Sequence, residues 1–334
     1  MTYPKIELHV HLEGTVRPKT LLEMARRNDY ALPARTEEEV EALYDFRDFA
    51  HFLDVFMLVT GALRTTDDFR QVVVDYAAEA AAHGAVYFEG IFAPGLWRKE
   101  LDPDDVFAGY CDGAQEAREL HGVEVRLTPD IPRVYDPETA EEAARYAVKY
   151  RDRGVVGLGL GGPEEGHPPE PYERAFAIAR EGGLASVPHA GGVVGPESVR
   201  GALDALKADR IRHGIRAVED PGLVRELAGR RTVLDVCPIS NLRTRAVASL
   251  DEHPLPRLAA AGVRCSISTD DPALFGTDLT RDCAAAVGLG LDPQDFYAAG
   301  VEGALCDAET KNRLEAIGAS FEWDAFRSLE TQIR

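Results

Sequence analysis

The stretch LHVHLEG sets His9 and His11 two residues apart. On a β-strand, residues i and i+2 point to one face with Cα atoms about 6.5–7 Å apart, so both imidazoles can reach one ion. Three other β-rich runs end in comparable chemistry: LASVPH closes on His189, RIRHG carries His213, and VRCSIST runs into Asp270 and Asp271. His9, His11, His189 and Asp270 supply nitrogen and oxygen donors that suit zinc, and that iron or manganese also accept. His213 is then free to act as a base, or to orient a water beside the metal. His51, His83, His121, His167 and His253 fall in helical or loop stretches without partner ligands and are expected to be structural.

Such a constellation requires several strand ends to converge. Eight β-rich runs recur: 5–10, 85–92, 123–129, 155–160, 184–189, 210–214, 232–238 and 263–269. Between them lie amphipathic segments such as AEEAARYAVKYRDR. Strands alternating with helices imply parallel pairing through right-handed crossovers, and eight units predict an α/β fold, a closed (β/α)8 TIM barrel. Active sites of that architecture form at the C-terminal strand ends. Residues 17–80 hold several helical segments after the first strand and read as a helical cap, within a single domain spanning 1–334.

The chain has 334 residues, 45% of them apolar, and a formal charge of −20. That acidity argues against nucleic acid or an anionic membrane surface as partner, since both need a basic face. No stretch approaches the eighteen or so apolar residues of a membrane span, and the N-terminus lacks a signal-peptide pattern. Five scattered cysteines form no C-x-x-C pair, which suggests neither a disulfide framework nor a cysteine zinc site. A cytoplasmic location is expected, and no feature sets an oligomeric state.

GLGLGG, Gly157–Gly162, satisfies G-x-G-x-x-G after a strand, but runs into PEEGHPPEP, where proline density forbids the helix a dinucleotide site needs. A glycine-lined wall beside a flat ligand is the better expectation. The H-x-E and P-C-x-x-C signature of cytidine-type deaminases is absent, as are G-x-S-x-G, H-E-x-x-H and a P-loop. Cys237 lacks a basic neighbour and reads as structural.

From Lys5 to about Asp278 the chain resembles the adenosine deaminase family of metal-dependent amidohydrolase barrels. The segments that carry the likeness are KIELHVHLEG, VYFEG, GLGLGGPE, PHAGG, RIRHGI, CPISN and STDDPALFGTDL. The resemblance implies one zinc per chain on His9, His11, His189 and Asp270, with His213 orienting and deprotonating the attacking water. It further implies that Asp271 and the Gly162 N–H face a purine ring, and that Glu13 lies near a ribose hydroxyl. A small purine or nucleoside-like molecule is the implied substrate, and hydrolytic deamination by a metal-bound hydroxide the implied reaction.

Two positions depart from the family. Relatives read His-Ala-Gly-Glu where this chain has Gly192, and that glutamate protonates the ring nitrogen. Ile91 stands where relatives commonly carry arginine. A positioned general acid contributes roughly 10²–10⁴-fold, or about 3–5.5 kcal/mol of barrier. Gly192 therefore predicts an aminohydrolase with an altered substrate or mechanism, its substrate reaching into the space at Gly192. The alternatives are hydrolysis of another C–N or ring bond in a nucleoside-like compound, and a metal-retaining pseudoenzyme. Glu197 reads as a first-turn helix acid, and Glu164 and Glu165 are weaker candidates for a replacement acid.

Overall fold

Parallel pairing runs continuously through the first half of a computed structural model that describes residues 3–97 and 99–327. Strands β1 (Lys5–His11), β2 (Ala85–Phe92), β3 (Glu124–Pro132), β4 (Gly157–Gly161) and β5 (Ala185–Ser186) lie side by side in chain order. A second parallel set follows, β6 (His189–Ala190), β7 (Arg210–His213), β8 (Val233–Val236) and β9 (Arg264–Ile267). The run expected to be one strand over 184–189 is thus broken at Val187-Pro188. Proline has no N–H to give a ladder, yet the path across the break survives. The Val187 amide donates to the Leu158 carbonyl at 2.9 Å, and the Pro188 carbonyl accepts from the Arg212 amide at 3.0 Å.

The barrel closes between its last strand and its first. The Leu8 and His9 amides both donate to Ser268 Oγ at 3.1 Å; the His11 amide donates to the Asp270 carbonyl at 2.7 Å, and the Asp270 amide to the His9 carbonyl at 3.0 Å. These are the eight strand positions of a (β/α)8 barrel, the fifth in two pieces.

Helices start by a repeated local device. Asp102, Asp136, Asp220 and Asp292 each precede a proline, and each side chain accepts from a first-turn amide at 2.7–3.1 Å. Aspartate satisfies an amide the helix leaves unpaired, and proline at the first helical position gives up one that has no use. Between β1 and β2 stand four helices, Pro18–Arg27, Glu37–Tyr44, Phe49–Ala62 and Thr66–Ala82. The last packs on β2 and on the next helix, Pro103–His121, and so joins the outer ring. No helix among the described residues is long and apolar enough to cross a membrane.

Inside the barrel the side chains are more ionic than the branched aliphatic layers usual for the architecture. Arg210, 1% exposed, bonds Glu89 at 2.5 Å and Asp235 at 2.6 Å. Arg212, wholly buried, pairs with Asp130 and donates to Thr128 Oγ1 at 2.6 Å. Alternation along β4 turns Gly159 and Gly161 toward this second pair. A Cβ on Gly159 would stand 1.9 Å from Asp130 Oδ1 and 2.3 Å from Arg212 Nη1, and one on Gly161 2.4 Å from Asp130 Oδ2. The glycines of GLGLGG therefore accommodate a buried ion pair, where the sequence had suggested a wall open to a flat ligand.

Candidate active site

Four donor atoms converge at the C-terminal strand ends. His9 Nε2 lies 3.1 Å from His189 Nε2 and 3.2 Å from Asp270 Oδ1; His11 Nε2 lies 3.2 and 3.3 Å from the same two atoms. A tetrahedron whose vertices sit about 2.0–2.1 Å from its centre has edges of about 3.3–3.4 Å. The four distances are of that size, so three imidazoles and a carboxylate can reach one ion.

The ring orientations fit equally well. His9 Nδ1 faces the Asp235 carbonyl at 3.4 Å, and His189 Nδ1 faces the Leu160 carbonyl at 3.1 Å and Asp130 Oδ2 at 3.3 Å. A carbonyl only accepts, so in both rings the proton sits on Nδ1 and the Nε2 lone pair points at the centre. Burial pushes the His9 pKa well below its ordinary value and that of His11 down to about 4. Neutral rings are what a cation requires. Burial works to raise Asp270, but the His9, His213 and His11 rings outweigh it and hold the carboxyl well down.

A second group, His9, His213 and Cys237, also lies within ligand reach. Burial drives the Cys237 thiol pKa far up, so it stays protonated and donates no thiolate. The carboxylate-bearing group is the better cation site.

His213 ends β7 with its Nε2 3.8 Å from Asp270 Oδ2, which itself accepts from Ser240 Oγ at 2.6 Å. Both residues hold left-handed backbone, φ +63° at His213 and +67° at Asp270. Non-glycine residues take up that conformation at a cost, and here it turns two side chains from strand ends into one site.

Glu13 and Asp271 are buried beside this centre. Glu13 Oε1 accepts from the Ala93 amide at 2.9 Å. Glu13 Oε2 and Asp271 Oδ1 have no hydrogen-bond partner among the described residues. Burial pushes Glu13 up to about 7; burial, then the Asp270 and Glu13 charges, pushes Asp271 well up. Gly14 leaves room for Asp271, since a Cβ there would meet its Oδ1 at 2.1 Å. Gly162 is exposed with φ +91°, a conformation that suits glycine and leaves its backbone open to approach.

Gly192 is buried, and the space against its Cα already has an occupant. Glu164, from the segment after β4, accepts from the Gly191, Gly192 and Val193 amides at 2.9, 2.8 and 3.2 Å, and from Ser198 Oγ at 2.8 Å. Burial raises its pKa, but Ser198, Arg133 and those amides bring it below the usual value. Glu164 is therefore an ionised clamp and a poor proton donor. Glu197, in the first turn of the helix Pro196–Asp204, is exposed, and so is Glu165. Ile91 is fully buried in β2, paired in register with His11.

Sequence reasoning passed over several residues that stand behind the site: Asp130 and Arg212 behind His189, Ser240 behind Asp270, and Asn241 beside His213 at 3.4 Å. Asp130 and Arg212 share the inward face of β3 and β7 with Thr128 and Arg210, two positions away; that facing lay in the strand pattern, and their pairing did not. His253, expected to be structural, is buried and reaches Asn241 at 3.1 Å. His51, His83, His121 and His167 enter no candidate metal group among the described residues. A cavity of about 760 Å³ lies at the other end of β3 and β4, lined by Arg118, Arg126, Arg151 and Arg153. Those arginines are paired with Glu124, Asp307, Asp152 and Asp112, and none of the strand-end chemistry lies there.

Known proteins match this chain through most of its length. The adenosine deaminase family model matches residues 4–317. An aminodeoxyfutalosine deaminase of Acidothermus cellulolyticus is 52% identical over 328 residues, 96% of this chain and 92% of that protein. An adenine deaminase of Cupriavidus necator is 40% identical over 88% of this chain and 84% of its own length. Among solved structures, the adenine deaminase of Arthrobacter aurescens superposes with a TM-score of 0.89 at 30% identity, covering 95% of this chain and 98% of that one. An amidohydrolase of Burkholderia ambifaria with bound zinc gives 0.89 at 29% identity, covering 98% and 92%. The chain belongs to the adenosine deaminase family.

Proposed function

We propose that this chain is a zinc-dependent aminohydrolase of a purine-nucleoside-like compound, working as a single barrel domain in the cytoplasm. The observation that carries the reading is the four-donor cluster with 3.1–3.3 Å edges, set beside two buried carboxylate oxygens that lack partners. Its 6-amino substrate is best sought near aminodeoxyfutalosine, the compound named for the relative with 52% identity. His9, His11, His189 and Asp270 would hold one zinc ion, which supplies Lewis acidity and brings water in its open position to a pKa of about 7.

The chain's own residues supply the rest. His213 and Asp270 Oδ2 flank the position of the attacking water and manage its proton. Asp271 and the Gly162 amide offer an acceptor and a donor to the edge of a purine ring, and Glu13 an acceptor to a sugar hydroxyl. Glu164 pins the Gly191–Val193 loop, so the missing side chain at Gly192 leaves the metal site intact while withdrawing a proton donor. The test is ammonia release from zinc-loaded protein on aminodeoxyfutalosine, adenosine and adenine. Stoichiometric zinc with no ammonia from any of the three would overturn the reading.

A further inference from the structure

A run of hydrogen bonds with only one self-consistent direction ends on His213. It begins at the Leu255 amide, which donates to His253 Nδ1 at 3.0 Å. A backbone N–H can only donate, so Nδ1 carries a lone pair and the proton of the neutral ring sits on Nε2. His253 Nε2 lies 3.1 Å from the Asn241 side-chain oxygen and donates to it. That sets the amide of Asn241 with its oxygen toward His253 and its NH₂ toward His213. Asn241 Nδ2 is 3.4 Å from His213 Nδ1 and can only donate, so His213 Nδ1 accepts. The proton of neutral His213 is left on Nε2, the atom 3.8 Å from Asp270 Oδ2.

Each other arrangement sets a donor against a donor. A flipped Asn241 would face its NH₂ to the His253 Nε2–H. The other His213 tautomer would face its Nδ1–H to the Asn241 NH₂. Buried donor pairs of that kind leave polar groups without a hydrogen bond, which folded interiors avoid. His253 is 3% exposed, and its burial holds the pKa down to about 4, which keeps the ring neutral and the sense of the run unchanged near pH 7.

We propose that His253 and Asn241 are positioning residues that fix His213 as its Nε2–H tautomer, so that His213 meets the reacting oxygen as a hydrogen-bond donor. The lone pair that takes the water proton is then on Asp270 Oδ2. The water O–H bond breaks, its proton passes to that carboxylate oxygen, and its electron pair stays on the oxygen that bonds to the substrate carbon. His213 keeps its own proton throughout. This division of labour rests on the aminohydrolase reading; the tautomer itself does not.

The experiment is a two-bond ¹H–¹⁵N spectrum of zinc-loaded protein labelled with [¹⁵N]histidine, the His213 signals being assigned by their loss in His213→Asn. The wild type is expected to show His213 protonated at Nε2 and bare at Nδ1. A spectrum with the proton on Nδ1 overturns the proposal, with or without a known substrate. Asn241→Asp, whose carboxylate only accepts, should draw a proton onto His213 Nδ1 and lower kcat by about 10²-fold with KM within about threefold. His253→Gln keeps a donor toward Asn241 and should retain both the wild-type His213 signals and most of kcat. Should either variant shift the tautomer while kcat stays at the wild-type value, the assigned role in turnover is wrong.

Discussion

A Cβ on Gly192 would meet Glu164 Oε1 at 3.1 Å and His213 Cδ2 at 3.2 Å, on backbone that lies outside the left-handed region. Gly192→Glu is therefore allowed by conformation and tight by packing; the clamp or the ring must give by a few tenths of an ångström. The new carboxyl would stand beside His213. Deamination of adenosine or adenine is expected to rise, by at most the roughly 10²–10⁴-fold a general acid provides, while the native reaction weakens if it uses that space. Wild type and variant assayed side by side decide this, and no gain on any 6-aminopurine would mean that the missing acid does not limit the rate. His213 allows a cleaner separation. His213→Ala should keep most of its zinc and lose most of its turnover, whereas His9→Ala should lose both, as read by metal analysis and kcat. Equal metal loss in the two variants would make His213 a ligand.

Among the secondary elements, β4 contributes by what it omits. Gly159→Ala would drive a methyl into Asp130 and Arg212, the pair that backs His189. Breaking a buried ion pair costs about 3–5 kcal/mol, so the variant should melt earlier and bind zinc more weakly. Denaturant midpoints and chelator competition measure the two effects. Helix caps offer a pH test at the same scale. Asp307 caps the helix Ala308–Ser320 through the Thr310 amide at 2.8 Å, and that hydrogen bond brings its pKa down to about 2. A depressed carboxyl stabilises above its unfolded pKa of about 3.8, and the stability is lost as pH falls through about 2. Asp307→Asn keeps an uncharged cap that does not titrate. The stability difference between wild type and Asn is expected to be constant above about pH 5 and to swing toward Asn between pH 4 and 2. Asp307→Ala should cost about 1 kcal/mol at neutral pH. Parallel pH titrations for the two proteins would remove the cap from the acid response.

On the scale of the whole molecule, the barrel is closed directly beneath its site, where Asp270 shares backbone hydrogen bonds with His9 and His11. An ion held by His9, His11, His189 and Asp270 would tie β1, β6 and the segment after β9 together. Zinc should then act as a fold stabiliser, since a ligand bound only by the native state adds about 4 kcal/mol at a thousandfold excess over its Kd. Chelation is expected to lower Tm and zinc to restore it, by calorimetry on the same sample. A Tm indifferent to both treatments would show that the four donors do not hold an ion in the folded protein.

Strand periodicity and residue chemistry were enough to read the barrel, the positions of its eight strands, and the convergence of His9, His11, His189, His213 and Asp270. The reason is physical: alternation on a strand and the common direction of parallel strands are local rules, and they send the C-terminal ends of all strands to one face. The break at Val187-Pro188 was half legible, in the proline itself. The buried Asp130–Arg212 pair, Glu164 against the Gly192 amide and the run from His253 through Asn241 to His213 were not. Each joins residues from separate elements, 82, 28, and 12 and 28 positions apart, through side-chain distances that no local pattern encodes. Only the closed barrel decided which carboxylate faces which ring, and so which groups in the site hold protons and which accept them.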